Sequence, residues 1–110
     1  VRGFTSTLPV EIEIIGGIDR PAMEAAMSAE LFTLAKHLNR ELGYPDLTEC
    51  AVGGASDGNL TAAAGILTID GMGAAGDGAH ADFEWASASA MPHRAELLEK
   101  ILIELIAENN

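Results

Sequence analysis

The sequence is poor in basic residues. Six Lys and Arg stand against 17 Asp and Glu, a formal charge of −11. Nucleic acids and anionic membrane surfaces are held through Lys/Arg patches, so neither is an expected partner. An acidic surface does not in turn require a basic partner, because it also serves solubility. Cysteine is almost absent. Cys50 alone excludes an intrachain disulfide framework and a cysteine-based metal cluster. Its setting, Glu49-Cys50-Ala51-Val52, reads as a strand residue with a buried, inert thiol. No apolar run approaches the ~20 residues that a membrane span needs. No basic stretch followed by an apolar one opens the chain, so no secretory leader is visible and the cytoplasm is the default compartment.

The composition that remains is globular. With 110 residues and 48% hydrophobic content, one small domain with a core is expected, and two independent domains are not. The first residue is Val1 rather than Met, which suggests a processed or excised piece. In residues 8–15, Val10, Ile12 and Ile14 alternate with Glu11 and Glu13, the period of a half-buried strand. Gly16-Gly17 ends it, and Pro21 stands at a favoured first-turn position. Residues 22–42 then predict a helix whose apolar stripe is Met23, Met27, Leu31, Leu34, Leu38 and Leu42, closed by Gly43 and Pro45. His37 lies off that stripe and should face solvent. Residues 47–52 and 66–69 read as short strands, 60–64 as a short helix and 70–82 as a loop. A last helix begins near Pro92, with Leu97, Leu98, Ile101, Leu102, Leu105 and Ile106 on a broad apolar face and His93 at its start, without a chemical role. The order strand, helix, strand, strand, helix suggests an α/β layer packing.

Two glycine-rich patterns compete for a function. Gly71, Gly73 and Gly76 fit G-x-G-x-x-G after an expected strand. A dinucleotide site also needs a helix opening at these glycines, and the following DGAHADFE has no amphipathic run. Nucleotide binding is therefore the weaker alternative. The second pattern is longer. It comprises Gly53-Gly54-Ala55-Ser56-Asp57, then Gly65-Ile66-Leu67-Thr68-Ile69-Asp70-Gly71-Met72-Gly73, then Gly78-Ala79-His80-Ala81-Asp82-Phe83-Glu84. In order and spacing it resembles the C-terminal part of the zinc-dependent M20 metallopeptidases, the glutamate carboxypeptidase and aminoacylase group. Arg20-Pro21 resembles the step by which that family's chain leaves its lid domain. Leu67 departs from a usual Pro, and Ala81 from a usual Thr or Ser.

The resemblance implies a mixed α/β sheet with flanking helices. Residues 1–19 would be the closing strand of the lid, which mediates dimerisation in the family, and 20–110 the C-terminal part of the catalytic domain. It implies that His80 is a zinc ligand, as suits an imidazole on a glycine-rich loop, where a lone loop His would otherwise read as solvent-exposed. Glu84 is implied to orient that region from behind the ligand, though a plain surface carboxylate fits it equally. Arg20 is implied to grip a substrate carboxylate, since a guanidinium fork makes two parallel bonds that Lys cannot; otherwise it is an exposed Arg before a helix. Gly54 would bring backbone close to substrate, and Asn59 would touch substrate or face water. Asp57 reads as the cap of the short helix and Asp70 as a turn residue.

The family's remaining zinc ligands and its general-base Glu belong to an N-terminal half that this chain lacks, and no Glu-Glu pair occurs in it. The parent protein implied is a two-zinc hydrolase that cleaves an amide bond next to a carboxylate in a small peptide or N-acyl amino acid, in partnership with its own N-terminal half. The isolated chain is expected to be inactive, with no catalytic residue of its own, and to self-associate through its exposed strand edge. A non-catalytic relative kept for assembly is the other alternative.

Overall fold

The computed structural model describes residues 7–10 and 12–108, and its regular structure is mainly helical. Helix α1 spans Ala29–Glu41, α2 Gly58–Ala63 and α3 Met91–Glu108. A single antiparallel ladder joins β1, Gly76–Asp77, to β2, Trp85–Ala86. The core lies where α1 meets α3. Ala35, Leu38, Leu97 and Ile101 are buried there, with Leu34, Leu42, Leu47, Ile69, Met72 and Leu105 packed around them.

The helix expected over 22–42 starts later than its apolar stripe suggests. Residues Ala25–Met27 form one 3-10 turn, and the α-helix begins only after Ser28. The cause is tertiary. The Met27 carbonyl, which an unbroken helix would give to Leu31, accepts the Thr68 N–H at 2.9 Å. That bond ties the start of the helix to the 66–69 segment. At its other end α1 stops at the expected glycine. Gly43 has φ +78, its N–H donates to the Arg40 carbonyl, and the Tyr44 N–H donates to the Asn39 carbonyl. This is the two-bond Schellman closure. Gly65, at φ +81, ends α2 in the same way, with Gly65 N–H on Ala62 and Ile66 N–H on Thr61.

A polar latch crosses the core. Asn39 is fully buried. Its Nδ2 donates to the Pro45 carbonyl at 2.7 Å, and its Oδ1 lies 2.8 Å from His93 Nε2 in the first turn of α3. An amide oxygen only accepts, so Nε2 carries the proton in this pair. The Tyr44 ring, just past the Schellman turn, stacks on the His93 imidazole with centroids 3.5 Å apart. His93 does open the last helix as expected, and it also locks α1 to α3. His37 faces solvent as expected, beside Glu41 at 3.3 Å.

The expected strands do not form ladders. Residues 47–52 and 66–69 have no strand pairing. Neither do the described residues of 8–15; Glu11, and residues 1–6 of the expected lid strand, lie outside the described part. A strand needs a neighbour for its N–H and C=O groups, and none of these segments is paired in a ladder among the described residues. The expected mixed sheet is thus not built among the described residues. One consequence is that Cys50 is exposed rather than buried. Another is the shape: the radius of gyration is 19.1 Å, with extents of 62 × 36 × 17 Å. A compact chain of this length would have about 13 Å. The apolar face expected for α3 divides in two. Leu97 and Ile101 turn to α1, whereas Leu98, Leu102 and Ile106 are exposed, as is Ile103, which lies outside that expected face. No helix among the described residues is long and apolar enough to cross a membrane.

Replacing Asn39 by Ala leaves the Pro45 carbonyl and the His93 N–H without their partner. The expected loss is about 1–3 kcal/mol in urea unfolding followed by far-UV circular dichroism. His93→Ala should cost less in that background than alone, because both substitutions break one shared bond. Equal costs in both backgrounds would show that the latch is not coupled.

Candidate functional site

Three stretches far apart in the sequence meet around Ser56. The first holds Arg20 and Pro21, the second residues 56–59 and the third Asp70 and Gly71. Arg20 Nη1 donates to the Ser56 carbonyl at 3.2 Å and to Asp57 Oδ1 at 3.5 Å. Asn59 Nδ2 donates to the Pro21 carbonyl at 2.9 Å. The Ser56 hydroxyl donates to Asp70 Oδ2 at 2.7 Å, and Asp70 Oδ1 accepts the Gly71 N–H at 2.7 Å. Gly71 has φ +72, a conformation that glycine takes without a Cβ penalty.

The local sequence explains how the turn is held. The Gly58 N–H donates to Ser56 Oγ at 3.1 Å, and the Ser56 N–H donates to Asn59 Oδ1 at 3.0 Å. The two bonds resemble a capping box over Ser56-Asp57-Gly58-Asn59, with Asn in the place usually held by Glu or Gln. The serine hydroxyl accepts from Gly58 rather than from Asn59, whose N–H donates to the Ser56 carbonyl. The capping role expected of Asp57 therefore falls one residue earlier, on Ser56. The Asp57 side chain makes no cap bond, and it is directed to Arg20 instead. The pattern S-x-x-N is the feature of the sequence from which this could have been read. Asn59 has both ends of its amide engaged, at Pro21 and at Ser56, so it braces the junction. Asp70 does hold its turn, as expected, but its bond to Ser56 was not legible.

Electrostatics favour the ionised junction. The Ser56 hydroxyl, and then the Gly71 N–H, hold the Asp70 carboxyl below the ordinary carboxylate range, against slight desolvation. Gly54 lies nearby in the chain with open space where a Cβ would be, so crowding does not account for this glycine.

His80 sits apart, in the loop that joins β1 to β2. It is exposed and has φ 68, a left-handed conformation uncommon for a residue with a side chain. The loop is folded by Ala81 N–H on the Gly78 carbonyl and Glu84 N–H on the Ala81 carbonyl. Gly78, at φ +74, lies under the Phe83 ring, and a Cβ there would come within 2.8 Å of it. A Cβ on Gly76 would collide with the Trp85 carbonyl. Glu84 is exposed and shares a shallow groove with Asp77, Ala79 and Trp85. No hydrogen bond or ion pair among the described residues joins His80 or Glu84 side chains to Arg20.

Zinc is held by three or four ligands. Among the described residues no group of three or more His, Cys, Asp or Glu is placed to hold a metal ion. The letters H-x-D do occur, at His80-Ala81-Asp82, but they belong to no such group. His80 therefore stands in no complete zinc site among the described residues. The alternative nucleotide fingerprint fares no better. Gly71, Gly73 and Gly76 lead into β1, and no helix opens at them to face a pyrophosphate. Compared with protein-family models, with curated proteins and with solved structures, the chain matches none.

A carboxyl lowered on folding adds stability that is complete above its unfolded pKa and is lost as pH falls through its folded pKa. The Asp70 junction should therefore hold above about pH 4 and loosen below it. In an NMR titration the Gly71 amide should move with that acid step, and in Asp70→Asn it should not. An unchanged Gly71 titration in the variant would remove Asp70 as the cause.

Proposed function

We propose that this chain is the C-terminal portion of an M20-like, zinc-dependent hydrolase that cleaves an amide bond next to a carboxylate, in a small peptide or an N-acyl amino acid. The observation that carries the reading is the junction at Ser56. Arg20-Pro21, the Ser56-Asp57 turn and Asp70-Gly71 are three of the four segments on which the resemblance rests. Hydrogen bonds hold these three together across as many as 38 residues of sequence, while the fourth, Gly78 to Glu84, sits apart. A guanidinium fixed at a rigid glycine-rich turn is suited to orient a carboxylate. In this reading Arg20 anchors the substrate's carboxylate, Gly54 leaves room beside it, and Asn59 braces the turn. His80 contributes one ligand to a zinc site whose other ligands come from a preceding half of the same protein, with Glu84 behind it.

The surfaces agree with a part that packs on more polypeptide. A helix that is apolar on two sides, as α3 is, ordinarily lies between two layers. Leu98, Leu102 and Ile103 would be covered on docking to the rest of a mixed sheet, and residues 47–52 and 66–69 would gain ladder partners there. The exposed Val10, Ile12 and Ile14 fit a lid strand paired within a homodimer. A non-catalytic relative used for assembly would share these surfaces.

The test is to read the coding sequence upstream of Val1 and to express the whole frame with zinc. The expected outcome is hydrolysis of N-acyl amino acids, abolished by His80→Ala and weakened mainly in KM by Arg20→Ala. An upstream frame without further His, Asp and Glu ligands, or full activity in His80→Ala, would overturn the reading.

A further inference from the structure

The geometry around Arg20 points to a role for Asp57 that its place at the start of a helix does not suggest. Both bonds of the Arg20 guanidinium use one nitrogen, Nη1. The Nε–Nη2 edge of the fork has no partner among the described residues. The contact to Asp57 is single and long, at 3.5 Å, and the Asp57 side chain is 95% exposed. By contrast Arg40 holds Asp46 through two bonds, of 2.7 and 3.2 Å, from Nε and Nη2. The chain thus shows a two-bond carboxylate grip at one arginine and an incomplete one at the other.

We propose that Asp57 is an exchangeable internal counter-ion. It neutralises Arg20 in the free protein and is driven off Nη1 by like-charge repulsion when a ligand's carboxylate takes the open Nε–Nη2 edge through two parallel bonds. Asp57 then sets the affinity of the site and selects against ligands too weakly charged to displace it. The inference rests on the reading of Arg20 as a carboxylate anchor. Displacement is easy because an exposed, single-bonded ion pair holds little free energy. The Ser56 carbonyl stays on Nη1 throughout, so the guanidinium keeps its orientation while its anion changes. Ligand affinity should be modest, since the site sits in a chain of formal charge −11.

The experiment uses the full 110-residue chain and N-acetyl-L-glutamate as the probe, at low ionic strength. The readout is the Arg20 Nε–H resonance in a nitrogen-15 NMR titration. Four proteins are compared: the unaltered chain, Asp57→Asn, Asp19→Asn and Arg20→Ala. Asp19 adjoins Arg20 in sequence without an ion pair to it, so its substitution removes the same charge but not the contact. The expected result is binding that Asp57→Asn tightens roughly two- to five-fold, the range for an exposed pair. Asp19→Asn should change it by less, and followed through backbone amides, Arg20→Ala should lose it. If Asp57→Asn shifts the Gly58 and Asn59 amides beyond the local change, Asp57→Ser replaces it. Equal tightening by both Asp variants, or none by Asp57→Asn while Arg20→Ala loses binding, overturns the counter-ion role and leaves Arg20 as the anchor. Binding that survives Arg20→Ala, or no binding by any of the four, overturns the anchor and the counter-ion together.

Discussion

The buried amide of Asn39 is the constraint on which the arrangement depends. It satisfies the Pro45 carbonyl on one side and His93 on the other, so it fixes where the chain leaves α1 and where α3 enters. The leucines of the interface are permissive in comparison. Apolar contacts tolerate sliding by a turn, whereas a buried amide without its partners costs a desolvation penalty. Register between the two helices is therefore set by one polar residue amid an apolar core. Tyr44 adds to it, because the Schellman turn at Gly43 delivers that ring onto the His93 face.

A second polar centre, Ser56, performs the same service for the loops. Its hydroxyl accepts from Gly58 and donates to Asp70, and its backbone N–H and carbonyl engage Asn59 and Arg20. One residue thus uses its hydroxyl and both of its backbone groups to join these segments. Such a junction is rigid but shallow. It orients Arg20 at the surface and leaves an edge of the guanidinium open, which is the arrangement an anion-binding group needs.

The described fold is helical at its centre and open at its margins. Helix α3 presents leucine and isoleucine on both sides, and segments of strand-like composition run without ladder partners. These features have one physical origin. One side of α3 is covered by α1, and its other apolar side chains, with much of the segments that form no ladder, face outward. The elongated shape follows, since there is too little mutual burial to draw the segments into a sphere.

The sequence by itself determined the parts whose bonds are local. The short helix α2, the long helix α3, the stop at Gly43 and the solvent-facing side of His37 follow from apolar spacing and from the left-handed freedom of glycine, both of which act within a few residues. Tertiary structure decided the rest. The start of α1 moved to Ala29 because Thr68 takes the Met27 carbonyl. Cys50 lies exposed because its segment meets no neighbouring strand. Asp57 turns to Arg20 because Ser56 had already capped the helix. At the start of α1 and at the Arg20–Asp57 pair the deciding partner lies far along the chain, and no pattern of nearby residues records which distant group will arrive.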